Sequence, residues 1–491
     1  MNVAAVLLPF LAAPALGLAG APLAGAYANL AVCAAVFLLT LTTPALTASA
    51  ASGAGLWHAD PLGAIFGMVT GLAALAAAVA NIGFLRGAGA RFGIRRWRLH
   101  HALFQVVLGC TLLGLYADDL VLLWLAVAGA TLAACFGAGL SRTAPALEIA
   151  WKTFLSGGLG IALALFGTLA VYLAAQPVTG PGEAAMRFSV LFPHAAQLNG
   201  PLLNLAFVLF LFGYGARAAL VPLHGWLPDA FAEGPAPFST ALGVLMLNVP
   251  LLAILRFRHL LQANAAAGGG AMRPAPFLLA LGIASLLTAA FSLWRRRDAR
   301  RFDARRFFAV SAIGHNGLAV FAFGLGGPAA IFAGLLHLLL HTLIKSALFQ
   351  ALSGRAAGSG AQPAGRVSRA AVFALTGLPP SPLFVSEFLI VSQTVQRLPP
   401  LCLPLGVGLT VYAVALLRLL GPMLANPAPV APRRTAPAKP RRARASLVLA
   451  SLPAAAPSLA AALLLAVALL LAFAEPWPLV RELSGIAEAL Q

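Results

Sequence analysis

The stretch that decides the reading runs from Gly213 to Ser239, GYGARAALVPLHGWLPDAFAEGPAPFS. An apolar run, Pro201 to Phe212, leads into it, so it begins inside what reads as a membrane helix. That helix meets Pro222 five residues after Arg217. Proline lacks an N–H and clashes with the preceding turn, so the helix is expected to break or kink there. Non-helical backbone at membrane depth survives only where protein or a water-filled cavity surrounds it. A strong base beside such a break is the pattern of an ion pathway.

Composition agrees with a membrane setting. Of the 491 residues, 61% are hydrophobic and only 9% are charged, too little charged surface for a soluble chain of this size. The expected fold class is all-α: a polytopic membrane protein with about 14 transmembrane helices, each near the ~20 residues needed to span. The runs fall at 3–20, 28–47, 62–85, 100–116, 119–140, 151–174, 201–222, 238–257, 275–294, 306–325, 329–352, 370–395, 401–423 and 447–473. A retained first helix fits the N-terminus better than a signal peptide, because the first basic residue is Arg86. The net charge of +19 would suggest nucleic acid in a soluble protein. Here the basic residues crowd alternate short loops instead. Arg86, Arg91, Arg95, Arg96 and Arg98 follow the third run, RRRDARRFDARR from Arg295 follows the ninth, and PRRTAPAKPRRARAS from Pro432 follows the thirteenth. By the positive-inside rule these loops are cytoplasmic and both termini lie outside. Cys33, Cys110, Cys135 and Cys402 are scattered in apolar segments and read as packing residues. No redox centre, metal-ligand spacing or nucleotide motif is visible, so no cofactor is expected.

The twelfth run carries a second interruption, Leu378-Pro379-Pro380-Ser381-Pro382, five runs after the first. An odd offset inverts one unit relative to the other, which is the signature of inverted-repeat transporters. The expected division is N-terminal helices 1–99, a first five-helix repeat 100–260, a second 270–425, a basic Pro-rich loop 426–446, and a last helix with a short tail 447–491.

Polar residues inside the runs then mark the site. In GLLHLLLHTLIKSALF, His337, His341 and Lys345 are spaced four apart and line one helix face. Histidine titrates near neutral pH and buried lysines give up protons more readily than solvated ones, so the stripe reads as a proton relay. The competing reading is interhelical hydrogen bonding that only fixes packing. Glu387, after the second break, is a proton acceptor or a counter-ion to a helix lysine. Arg217 and His224 flank the first break. Asn248 bonds across helices or holds water, and His315 joins the path or bonds a carbonyl. Arg256 and His259 read as interfacial anchors, His58 and Asp60 as outer-face residues, and Asp118 and Asp119 as solvated loop charges. Asp229 and Glu233 are expected near the cytoplasmic surface, and Asp303 beside a neighbouring arginine.

The Gly213–Ser239 stretch, HLLLHTLIKSALF and RRFDARRFFAVSAIGHNG resemble the antiporter-like subunits of respiratory complex I and of Mrp-type sodium/proton antiporters. LLWLAVAGATLAA, ALEIAWKTF and GIALALFGTL look most like the hydrogenase-4 and formate hydrogenlyase membrane subunits. The resemblance covers about residues 55–425. It implies two inverted five-helix repeats and proton translocation along a central polar axis in a bacterial inner membrane. The implied partners are other membrane subunits, a peripheral redox module, protons with sodium as the alternative ion, and lipid, but no nucleic acid. By motif, Lys345 is the central base with His337 and His341 beside it, Glu387 is the acid on the broken helix, and position 217 takes the place of the family's lysine.

Two departures stand out. The family's acid in W-x-x-x-E-x-x-T is Ala128 here, between Trp124 and Thr131, and its lysine is Arg217. A guanidinium does not hand on a proton in a protein. Asp118 and Asp119 lie roughly 14 Å away along the helix and do not restore the pair. The first half-channel is therefore expected to be altered or silent. The chain also lacks the long lateral helix of one complex I subunit, which points to a hydrogenase-type or stand-alone module. Two alternatives stay open: a cation/proton antiporter or inorganic-carbon uptake subunit on the same fold, and a membrane scaffold that moves no protons.

Overall fold

A computed structural model describes residues 3–49, 60–86, 93–234, 238, 245–295, 304–353, 365–424, 456–474 and 477–490. The helices in chain order are α1 (Val3–Leu18), α2 (Pro22–Ser49), α3 (Pro61–Arg86), α4 (Ile94–Tyr116), α5 (Leu120–Ala138) and α6 (Ala144–Thr179). A broken α7 follows as α7a (Gly200–Arg217) and α7b (Trp226–Glu233), then α8 (Asn248–Ala266), α9 (Ala275–Arg295), α10 (Ala304–Leu325) and α11 (Pro328–Ser353). A broken α12 comes as α12a (Arg366–Ala374) and α12b (Pro382–Arg397), followed by α13 (Cys402–Leu424), α14 (Ala456–Phe473) and α15 (Trp477–Ala489).

Among the described residues, ten helices are long and apolar enough to cross a membrane: α2 to α6, α7a, α9 to α11, and α13 with the short turn before it. Other expected spans are shorter or interrupted. Helix α1 has 16 residues, α12 is split, and α8 carries Arg256 and Arg258. The outer faces of α5 and α6 present Phe136, Trp151, Leu155 and Phe166, each more than half exposed, as surface for lipid. Helices α10 and α11 are instead buried nearly all round. Close backbone approach makes this possible: a Cβ on Gly282 of α9 would sit 2.7 Å from the Gly317 carbonyl of α10. Without a hydrophobic drive between helices in lipid, such small-residue contacts carry the packing.

Both interruptions fall where the prolines placed them. Helix α7a stops at Arg217, and the chain turns through Ala219, whose φ is +55°. The backbone groups freed there find partners from elsewhere in the fold. Trp226 Nε1 donates to the Ala216 carbonyl at 2.8 Å, and Asn316 Nδ2 to the Ala218 carbonyl at 2.8 Å. The Val221 N–H donates to Ser285 Oγ at 3.1 Å. In the second break, Ser381 caps α12b by accepting from the Leu383 N–H at 3.2 Å. These contacts satisfy the broken backbone inside protein rather than lipid.

Three expectations need correction. Asp118 and Asp119 are not solvated: they are only 7% and 4% exposed. Asp119 caps α5, accepting from Val121 and Leu122, and Asp118 accepts from the Ser189 hydroxyl and N–H. Arg256 is no interfacial anchor but is 4% exposed, with Nη2 bonded 2.9 Å from each oxygen of Asp60. Asp60 in turn faces inward on this pair rather than only outward. Finally, α8 runs nine residues past the end of the apolar run, to Ala266. Paired Arg256 no longer forces a surface there, and Gly268 and Gly270, with φ of +77° and +86°, turn the chain instead. Asp229 does lie at a surface, bonding Lys152 at 2.6 Å and Arg306 at 3.3 Å. His58, Asp303 and the 426–446 loop lie outside the described residues.

Candidate functional site

The i, i+4, i+8 spacing on α11 places His337, His341 and Lys345 in one buried row, at 0%, 3% and 1% exposure. The rings of His337 and His341 are parallel, centroids 6.4 Å apart and 6° between planes. His315 of α10 enters beside them, 5.1 Å from the first centroid and 4.6 Å from the second. Its Nδ1 lies 3.1 Å from His337 Nε2, and its Nε2 lies 2.7 Å from the Tyr412 hydroxyl of α13. His337 Nδ1 is 3.0 Å from Ser386 Oγ on α12b, and Glu387 Oε1 is 4.0 Å from His315 Nδ1.

One pair of neutral tautomers links these contacts head to tail. The Ser386 hydroxyl donates to the Leu383 carbonyl at 2.9 Å, so it accepts from His337 Nδ1–H. His337 Nε2 is then an acceptor, and His315 Nδ1–H donates to it. His315 Nε2 is left to accept from the Tyr412 hydroxyl. With both imidazoles neutral, four groups from four helices form one head-to-tail chain. Tyr412→Phe removes the donor at the head of the chain. It is expected to lower proton flux roughly tenfold, the factor for about 1.4 kcal/mol, near the worth of one buried hydrogen bond. Proton uptake by reconstituted vesicles reads this.

At the other end, the Lys345 ammonium donates to the Phe308 carbonyl and the Ser311 hydroxyl of α10. Between it and His315, His341 Nε2 has no hydrogen-bond partner among the described residues. The row is thus continuous from Tyr412 to Ser386 and interrupted at His341, where water would have to bridge. Asn248 bonds across helices, donating to Thr342 of α11 at 2.9 Å. His224 stands apart in the first break, half-buried.

Glu387 depends on a glycine. Gly377, in the second break, has φ +69°, and a Cβ there would lie 2.0 Å from Glu387 Oε2. Gly377→Ala therefore combines backbone strain of about 1–2 kcal/mol with displacement of the carboxylate. A lower melting temperature and reduced proton flux are expected together. One nitrogen each of His315 and His337 and an oxygen of Glu387 lie within 4.8 Å of one another, a donor set that could also hold a metal ion.

The first bundle differs. Arg217 is 2% exposed, its guanidinium carbon 4.4 Å from the centre of the Trp226 ring. None of its three side-chain nitrogens has a hydrogen-bond partner among the described residues. Sequence reasoning missed Tyr412 and Ser386, which carry no motif of their own. It also missed a polar cluster on α2 to α4. There His100 Nε2 lies 2.7 Å from Asn81 Oδ1, and Gln105 Nε2 donates to Asn29 at 2.9 Å. The adjacent pair His100-His101 at the head of an apolar run was the available signal.

Residues 117–360 match the family described as NADH:quinone oxidoreductase/Mrp antiporter, transmembrane. The chain is also 44% identical, over 339 residues, to a hydrogenase-4 component F homolog of Methylacidiphilum infernorum, a match covering 66% of this chain and 69% of that protein. The chain belongs to the NADH:quinone oxidoreductase/Mrp antiporter family. Its fold is shared with a chain of the archaeal membrane-bound sulfane sulfur reductase, at TM-score 0.79 and 20% identity over 100% of this chain and 97% of that one. It is likewise shared with a chain of the Mrp complex of a Dietzia species, at TM-score 0.78 and 21% identity over 99% and 97%. The family match spans both the broken α7 and the α10–α11 row, but ends before Glu387 and Tyr412.

Proposed function

We propose that this chain is the proton-translocating, antiporter-like membrane subunit of a multisubunit redox-driven complex of the hydrogenase-4 or NADH-quinone oxidoreductase type. The observation that carries the reading is the buried row of Lys345, His341, His337 and His315, extended by hydrogen bonds to Tyr412 and Ser386. Ionisable groups this deep are costly unless used. Lys345 is the central base, the histidines pass the proton, and Glu387 receives it. Asn248, Arg217 and His224 order the approach from the first repeat. The two five-helix repeats, 100–260 and 270–425, each supply one broken helix. The basic loops face the cytoplasm and the termini the periplasm of a bacterial inner membrane. Other membrane subunits flank the chain, and a peripheral redox module supplies the driving reaction.

The test is proton uptake by the complex reconstituted in vesicles, driven by its electron donor. Uptake indifferent to sodium and bicarbonate supports this reading. A strict requirement for either ion replaces it with a cation/proton antiporter or an inorganic-carbon uptake subunit. A second reading, a scaffold that moves no protons, draws on Ala128 and the unpaired Arg217 in the first bundle.

A further inference from the structure

Arg217 poses a problem that the chain's own side chains leave unsolved. A buried guanidinium has lost its water and needs both hydrogen-bond acceptors and a counter-charge. Trp226 supplies a ring face, which compensates only part of that loss. No carboxylate bonds it, and Nε, Nη1 and Nη2 all lack partners among the described residues.

The surrounding helices pack closely on the guanidinium. Helices α5, α6 and α7a converge at Gly157, where an added Cβ would meet Arg217 Nη1 at 3.0 Å and the Thr131 methyl at 2.7 Å. Ala128, Thr131 and Cys135 share one face of α5, at i, i+3 and i+7. Thr153, one turn before Gly157 on α6, is fully buried, and its hydroxyl has no partner either. Thr131 and Thr168 turn their hydroxyls back onto their own helices, at 2.7 and 3.0 Å. Thr153 does not, so a donor and a cation are both left free on the helices that meet here.

A cavity of about 580 Å³ lies between α4, α5 and α6, with Arg95, Arg96 and Arg142 in its lining and Cys135 in its wall. Among the described residues no acidic side chain lines it.

We propose that Arg217 holds one small monovalent anion of chloride size, which takes the place of a carboxylate at position 128. The anion accepts from the guanidinium and from the Thr153 hydroxyl and supplies the missing negative charge. The site is a matter of equilibrium binding and does not depend on whether the chain moves protons.

The test uses the purified full-length chain in gluconate buffer, with radioactive chloride as the probe. One saturable site per chain is expected, with bromide competing and gluconate not. Arg217→Gln should abolish binding. Ala128→Glu, which brings its own carboxylate, should also abolish it, and should melt higher in gluconate than the wild-type chain does. Adding chloride should raise the melting temperature of the wild-type chain saturably and leave Ala128→Glu unmoved. If Ala128→Glu does not fold, Thr153→Val serves instead and should weaken chloride binding several-fold while keeping the shape of the site. Absence of saturable binding by the wild-type chain means that water alone solvates Arg217, and the proposal fails. Undiminished binding by Ala128→Glu or by Thr153→Val overturns it equally.

Discussion

Lys345→Met is expected to abolish redox-coupled proton uptake while leaving the fold standing. The side chain is 1% exposed, and its ammonium reaches the Phe308 carbonyl and the Ser311 hydroxyl. Methionine fills nearly the same volume, and swaps of that kind in a packed core cost less than about 1.5 kcal/mol. Nor does it orphan its former partner, because Ser311 Oγ still donates to the Phe308 carbonyl at 2.7 Å. What disappears is the one amine in the row. The stripe on α11 then ends at His341, whose Nε2 already lacks a partner. Uptake should fall by at least an order of magnitude, the cost of roughly 1.4 kcal/mol or more in the limiting step. Lys345→Arg should not rescue it, because a guanidinium holds its charge but does not release its proton. Normal assembly and electron transfer with no proton uptake is the expected phenotype. Unchanged uptake by Lys345→Met would leave the scaffold reading standing.

What could be read in advance follows from how local each signal is. Pro222 and the Leu378–Pro382 run break helices by their own covalent structure, so both interruptions were visible before any packing was known. The α11 row was visible because a four-residue spacing on a helix already implies a shared face. Tyr412 and Ser386 were not, because each is an ordinary residue in its own segment. They join the row only when α12b and α13 close on α10 and α11. Asp118 and Asp119 misled for a related reason. Acids between two apolar runs usually face water, but here the one-turn helix Phe188–Leu191 folds back and offers its backbone N–H groups. Arg256 was misread because its partner, Asp60, is 196 positions away in sequence. An intramembrane charge paired across such a distance looks, in one dimension, like the end of a helix.

That pair yields the second large effect, and its asymmetry is the informative part. Asp60 does two jobs: it caps α3 by accepting from the Gly63 N–H at 2.6 Å, and it neutralises Arg256. The Asp60 side chain is 37% exposed, whereas that of Arg256 is 5% exposed. Removing Arg256 therefore leaves a carboxylate that water still reaches. Removing Asp60 leaves a buried cation with the Leu115 carbonyl, at 3.2 Å, as its other described acceptor. Arg256→Met should cost no more than about 1 kcal/mol, the scale of a partly exposed pair. Asp60→Asn should cost about 2–3 kcal/mol, below the usual range for a fully buried broken pair because one partner is partly solvated. Asp60→Ala should add about 1 kcal/mol for the lost cap. Melting of the purified chain in detergent should rank the three in that order. The decisive variant is the double one: Asp60→Asn with Arg256→Met should melt higher than Asp60→Asn alone, because the second change removes the stranded charge. If the two losses simply add, Arg256 is being neutralised by something other than Asp60, and the pair does not anchor α8 to α3.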